Sequence, residues 1–187
     1  MSQDASRSEQ PSPPEDVRSG EVTIHPPLDQ WFLTVEHYAG ELDGPGDALG
    51  RDCIVARFRD GWIRMYDGDG SRNEDWYSWR ANVFAPFDGT VERVHIATTV
   101  NEPGRRGSGM PGFIFFLRHD GVHVVYAHLD ECLVREGDNV TSDQLVGKVG
   151  NNGIGWHPHL HVGAYWGEQP LQIRFDLEVM GRLLKRQ

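Results

Sequence analysis

The run Phe113-Ile-Phe-Phe-Leu-Arg-His-Asp-Gly-Val-His-Val-Val-Tyr-Ala-His-Leu129 decides how the rest of the chain is read. An aromatic and aliphatic stretch meets Asp120-Gly121, and a second stretch rich in valine follows it. Such residues favour extended backbone, and Gly takes the positive φ that a tight turn demands. The segment therefore predicts an antiparallel hairpin of residues 113–117 with 122–129. Outward from it the pattern recurs. Asp-Gly also stands at 60–61 and 88–89. Short apolar runs predict further strands at 22–25, 31–35, 53–58, 62–66, 90–94, 145–149 and 160–165. Only residues 175–185 carry a helical spacing, which predicts a short C-terminal helix. With many short strands and no βαβ alternation, the chain reads as all-β and mainly antiparallel, a sandwich or barrel-like fold with little helix.

Two segments echo one another. Residues 83–94, beginning Val83-Phe-Ala-Pro-Phe-Asp-Gly, describe an extended stretch, a turn and a strand leading away, and residues 134–149 do much the same. The echo predicts two related hairpins packed together.

Composition sets the frame for function. The 187 residues suffice for one domain with its own core, and 6 Trp, 8 Phe and 5 Tyr supply the bulk for it. A formal net charge of −10 speaks against a nucleic-acid surface, which needs clustered Lys and Arg, and is compatible with a cationic partner or simple solubility. The two cysteines, Cys53 and Cys132, are too few for a disulfide framework and not spaced as a metal knuckle, so two reduced thiols are expected, with a single disulfide as the alternative. The first twenty residues are polar and proline-rich and read as a disordered tail before a single domain over 21–187, with 83–165 as its centre. They hold no apolar signal region, and no later stretch is long enough to span a membrane. A cytoplasmic location follows by default.

The chemistry concentrates in histidine. Of nine histidines, His157, His159 and His161 alternate over five positions of Gly150-Asn-Asn-Gly-Ile-Gly-Trp-His-Pro-His-Leu-His-Val-Gly163. Side chains at i and i+2 share a strand face about 6–7 Å apart, and Pro158 sets His157 outside the regular ladder. His159 and His161 are thus placed for one to bind a metal while the other acts as acid or base, or for both to bind. Ordinary strand histidines are the plain alternative. His128 ends the second strand of the opening hairpin. By alternation it shares a face with Val124 and Tyr126, whereas His123 points the other way as an exposed histidine.

Four ordered motifs carry a resemblance. They are Val83-x-Ala-Pro, Tyr126-Ala-His-Leu129, then Val134-x-Glu-Gly-Asp-x-Val140 with Leu145-Val-Gly-Lys-Val-Gly-Asn-Asn-Gly153, and Pro158-His-Leu-His-Val162. In order and spacing the chain resembles the lysostaphin-type, LytM-like zinc endopeptidases, which cut peptide cross-links of bacterial peptidoglycan. The resemblance implies a duplicated hybrid motif β fold with one zinc ion in a groove. It implies His161 as a zinc ligand, and His128 and His159 as the residues flanking the attacking water. A peptidoglycan peptide is then the expected substrate, which sits awkwardly with a cytoplasmic location.

The chain departs from the family in one respect. The family's other two ligands stand as His-x-x-x-Asp upstream of the Val-x-Ala-Pro segment, and this sequence has no such motif. Asp52, which opens the 53–58 strand, is the expected aspartate. His37, across the glycine-rich stretch 40–50, is the expected histidine. Asp75, Asp43 and Asp47 are the alternatives; Asp75 has Ser71, a poor ligand, four residues before it. His25, beside Pro26 and Pro27, reads as structural. A site short of ligands would instead imply a non-catalytic relative that grips a glycan, a wall peptide or a protein.

Two other readings fit less of the chain. Residues 136–149 resemble the hairpins of biotinyl and lipoyl carrier domains, but Lys148 sits within a strand rather than at an exposed turn. His128 and His159 also match the histidine pair of a sugar-phosphotransfer domain, which would need no zinc there. Residues 101–112, with Arg105 and Arg106, read as a rim loop that could shape a groove or meet an anionic polymer.

Overall fold

The computed structural model describes residues 13–185. Helix α1 (Glu15–Arg18) leads into β1 (Glu21–Ile24), β2 (Phe32–Glu36), β3 (Arg51–Val55), β4 (Arg57–Arg59) and β5 (Trp62–Arg64). After a 3-10 turn at Asn73–Asp75 come β6 (Asn82–Phe84), β7 (Gly89–His95), β8 (Phe113–Arg118), β9 (Val122–Ala127) and β10 (Leu129–Cys132). The chain ends with β11 (Asn139–Val140), β12 (Leu145–Val149), β13 (Leu160–Trp166), β14 (Gln169–Pro170), β15 (Gln172–Phe175) and α2 (Leu177–Leu184).

The hairpin at 113–129 lies at the middle of the main sheet. β8 and β9 pair antiparallel from Phe113↔Ala127 to Leu117↔His123, and Gly121 closes the turn at φ +88. The sheet runs β11-β7-β8-β9-β13-β3-β2, with β14 on β13. Its pairs are all antiparallel. A second sheet, β10-β12-β6, packs on one face of it, while β1 and β15 form a parallel pair. The fold is therefore mostly antiparallel β, as the sequence predicts. The echoing segments interlock: β6 of the first pairs with β12 of the second, and β7 of the first pairs with β11 of the second.

Alternation divides the main sheet into two faces. Ile114, Phe116, Val122, Val124, Tyr126, Leu160, Val162 and Ala164 are buried in the core against Val83, Ala85, Val146 and Val149 of the second sheet. Fully burying a side chain of this size contributes about 1.5–3 kcal/mol, so this face anchors the fold. The opposite face carries Phe113, Phe115, Val125, Ala127 and Tyr165 along an open groove.

The chain differs from expectation in several places. The tail expected over 1–20 falls largely outside the described residues, but its last part is structured: α1 forms over Glu15–Arg18 and buries Val17 fully. That single apolar residue docks in the core, which the average composition of the segment conceals. The strand expected over 53–58 stops at Val55. Ala56 hydrogen-bonds the Trp31 carbonyl at 3.1 Å, and Phe58 instead pairs with Ile63 in a separate β4-β5 ribbon. The C-terminal helix forms with Asp176 as its N-cap, whose carboxylate accepts from the Glu178 and Val179 N–H groups. Cys53 and Cys132 are free thiols. No helix of the described residues is long and apolar enough to cross a membrane.

Candidate metal centre

The groove face becomes polar where β13, β3 and β2 meet. Antiparallel register places His161 directly opposite Asp52 on one side and Ala127 on the other. Because directly opposed residues share a face, Asp52 and His161 point into the groove together. The pairing of β2 with β3 continues to Glu36↔Arg51, and the His37 N–H then donates to the Gly50 carbonyl at 2.9 Å. This carries His37 over the same spot. His37 Nε2 lies 3.6 Å from Asp52 Oδ2, His161 Nδ1 lies 3.2 Å from Asp52 Oδ1, and the two imidazoles stack at 5.1 Å.

Ligand atoms of His37, Asp52 and His161 all lie within 4.8 Å of one another. Two imidazoles and a carboxylate form a donor set suited to zinc, with a fourth position left open. The electrostatics agree. Burial alone would raise the Asp52 carboxyl, but the His161 hydrogen bond and the neighbouring His159, His161 and His37 hold it well below the usual range. Burial would likewise lower His161, yet its hydrogen bond to Asp52 and the charges of Asp52 and Asp47 raise it. The pocket favours positive charge at this point, and the residues fit a divalent cation.

A loop from the glycine-rich stretch 40–50 locks His161 from behind. His161 Nε2 stands 3.2 Å from the Gly46 carbonyl and 3.3 Å from Asp47 Oδ1. The close approach depends on Gly163, because a Cβ there would meet the Gly46 oxygen at 1.6 Å. Gly163→Ala is expected to push this loop off the sheet and cost about 1–3 kcal/mol of stability, measurable by urea denaturation.

His128 and His159 sit beside the cluster. Their rings are 4.4 Å apart, and His159 Nε2 lies 3.7 Å from Asp52 Oδ2. Each is oriented by a backbone carbonyl: His128 Nδ1 donates to Asn152 at 2.7 Å, and His159 Nδ1 donates to His157 at 2.7 Å. A carbonyl can only accept, so Nδ1 carries the proton and Nε2 keeps its lone pair. Burial, with His159 and His161 alongside, pushes His128 down to about 3. Burial lowers His159 as well, against the opposing charge of Asp52. Both rings are therefore neutral near pH 7.

The structure corrects the expected facing of His128. Val124 and Tyr126, with which it should share a face, are core residues. His128 instead follows the last residue of β9 at φ +66, a rare conformation for a side chain of this kind. This inversion turns its ring to the groove side with Ala127. His123, expected to be exposed, is partly buried: it stands 3.0 Å from Glu92 and stacks on Tyr165 at 4.6 Å.

The other candidates fall outside the cluster. The Asp75 carboxylate pairs with Arg72 at 2.9 Å and caps the 3-10 turn. Asp43 is exposed, and Asp47 acts on His161 from the rim. His157 stacks flat on Trp76 at 4.3 Å, so that its carbonyl rather than its ring serves the site. His25 is buried, with Nδ1 2.8 Å from the Pro26 carbonyl. The rim loop contributes Arg106, Gly109 and Pro111 to a cleft of about 670 Å³ that also holds Trp156.

Sequence reading missed Asn152. Its side chain accepts from the Gly112 N–H at 2.8 Å and donates to the Leu129 carbonyl at 2.9 Å, which fixes the carbonyl that orients His128. Two adjacent buried amides before Gly153 were the available signal. The neighbouring Asn151 donates to Asn73 Oδ1 at 2.8 Å, and its carbonyl receives the Asn101 N–H at 2.7 Å, tying this turn to the rim loop.

Several known proteins are similar to this chain. The chain is 38% identical over 80 residues to an uncharacterized metalloprotease of Haemophilus influenzae, covering 42% of this chain and 15% of that protein. It is 33% identical over 99 residues to the DD-carboxypeptidase/endopeptidase Mpg of Neisseria meningitidis, covering 51% of this chain and 22% of the other. These matches thus span less than a quarter of each relative's length. In fold, the chain is similar to a zinc containing peptidase from Vibrio cholerae, with a TM-score of 0.51 and 18% identity, covering 84% of this chain and 43% of that one. The model of one family matches residues 77–173, which include His128, His159 and His161 and span just over half of the chain. The chain belongs to peptidase family M23.

Proposed function

We propose that this chain is a zinc-dependent endopeptidase that hydrolyses peptide bonds of bacterial peptidoglycan. The observation that carries the reading is the convergence of His37, Asp52 and His161 beside two neutral histidines in one open groove. Membership of family M23 and the name of the Neisseria relative support it.

His37, Asp52 and His161 would hold the ion. Bound there, zinc supplies a Lewis acid that polarises a carbonyl and brings water toward ionisation at neutral pH. The remaining work falls to the protein. Nε2 of His128 and of His159 are the available proton acceptors, and an imidazole that takes a proton from water can return it to the leaving amine. Asp52 stays ionised and balances the charge that develops on these rings. The Asn152 and His157 carbonyls hold both tautomers so that the lone pairs face the groove.

Zinc analysis and peptidoglycan digestion test the reading together. The zinc-loaded chain is expected to carry one ion and to release peptide fragments from purified walls. Asp52→Ala is expected to lose the ion and Asp75→Ala to keep it. A chain that binds zinc and wall peptides without cutting them would be the non-catalytic binding domain, the reading that the missing His-x-x-x-Asp motif favours. Asn152→Ala is expected to retain zinc but lower kcat about 10–100-fold, with KM little changed, because the Gly112 and Leu129 bonds that fix the carbonyl orienting His128 are lost.

A further inference from the structure

On one side of His161 the groove continues into a cleft of about 510 Å³ floored by Phe113, Phe115, Val125 and Tyr165, with Arg93 at its edge. The Arg93 guanidinium lies over both phenyl rings, its central carbon 5.6 Å from the Phe113 centroid and 5.5 Å from that of Phe115. Aromatic faces hold a guanidinium in place without consuming its hydrogen-bond donors. The neighbouring acid, Glu92, is turned away to His123 at 3.0 Å, and among the described residues no ion pair engages Arg93. Glu168 and Asp47 line the same cleft but do not pair with it. In a chain with ten more acidic than basic side chains, an arginine positioned over an apolar floor with its donors unused points to an anionic ligand group.

Register places this group on the same sheet face as the metal cluster and several strands from it. His161 pairs with Ala127, which pairs with Phe113, so His161 and Phe113 lie on one cross-strand row, two strands apart. At about 4.8 Å per strand that separation is about 10 Å, and Arg93 stands one strand beyond Phe113, on β7 opposite Phe115. We infer that Arg93 is a specificity residue that binds a carboxylate of the peptide substrate several residues from the scissile bond. The inference rests on the peptidase reading and adds the substrate class to it: an acidic peptide, with the charge on its side chain or at its end. A planar two-oxygen anion matches the guanidinium fork, and the phenyl floor receives the intervening residues.

The test uses N-acetylated, C-terminally amidated alanine–glycine hexapeptides that carry one glutamate, walked along the sequence, each with a glutamine counterpart. Binding to the full, zinc-loaded chain is read by calorimetry, and cleavage is read separately. One glutamate position is expected to bind about two- to fivefold better than its glutamine counterpart, a modest effect because Arg93 is exposed. Arg93→Gln is expected to erase that preference by raising KM with kcat unchanged, and Arg93→Lys to restore part of it. Zinc content and the binding of the glutamine peptides should stay the same. Equal binding of glutamate and glutamine peptides, binding of neither, or a preference that survives Arg93→Gln each overturns the inference. If glutamate is preferred and the preference depends on Arg93, yet no peptide is cut, the carboxylate subsite stands and the peptidase reading fails.

Discussion

His161→Ala is expected to emerge from purification without zinc and without peptidase activity. His161 is 5% exposed and meets Asp52, the Gly46 carbonyl and Asp47 at once, so alanine would remove a proposed ligand and leave three acceptors facing an empty volume. Loss of an outer-shell partner alone costs about 10–100-fold in metal affinity, and loss of a ligand should exceed that. The Asp52 carboxylate would also lose the hydrogen bond that offsets its burial, so some stability should go with the metal. Plasma emission analysis of the purified variant, with circular dichroism as a check of folding, measures both. A folded His161→Ala protein that still carries one equivalent of zinc would remove this histidine from the ligand set.

The second large effect concerns His128. His128→Ala should keep its zinc and yet lose about 10²–10⁴-fold in kcat, the range that a positioned acid or base supplies. The separation follows from geometry. His128 is absent from the group whose ligand atoms lie within 4.8 Å, but its ring stands 4.4 Å from that of His159 at the edge of the cluster. Zinc content measured beside turnover on the same preparation distinguishes the roles. Equal loss of metal in His128→Ala and His161→Ala would make His128 a ligand instead.

Much of the fold was legible because the main sheet is built from short runs of β-favouring apolar residues, several of them bounded by Asp-Gly turns. β8, β9, β12 and β13 fall on the apolar runs that predict them. The places that failed share a cause. Phe58 has the composition of a strand interior, but its partner is Ile63 across an exposed two-stranded ribbon rather than the main sheet. Val17 lies in a polar segment, and only its docking in the core shows that the segment is structured. In both cases the deciding contact lies with a partner that local pattern does not name.

The site divides in the same way. His159 and His161 could be paired from sequence alone, since residues two apart in extended backbone share a face. Those local periodicities, with the order of the four motifs, determined the β architecture, the family and the histidine pair. The tertiary structure decided the rest. Asp52 and His161 stand 109 positions apart and meet only because β3 lies beside β13 in one register, while His37 reaches them through the β2–β3 pairing. No spacing rule encodes a contact made by hydrogen-bonded neighbours distant along the chain. The left-handed backbone of His128 is likewise held by its surroundings: the Asn152 carbonyl accepts a hydrogen bond from its ring, and its own carbonyl accepts the Gly150 N–H. Alternation holds only while the backbone stays extended, and at His128 these contacts outweigh it.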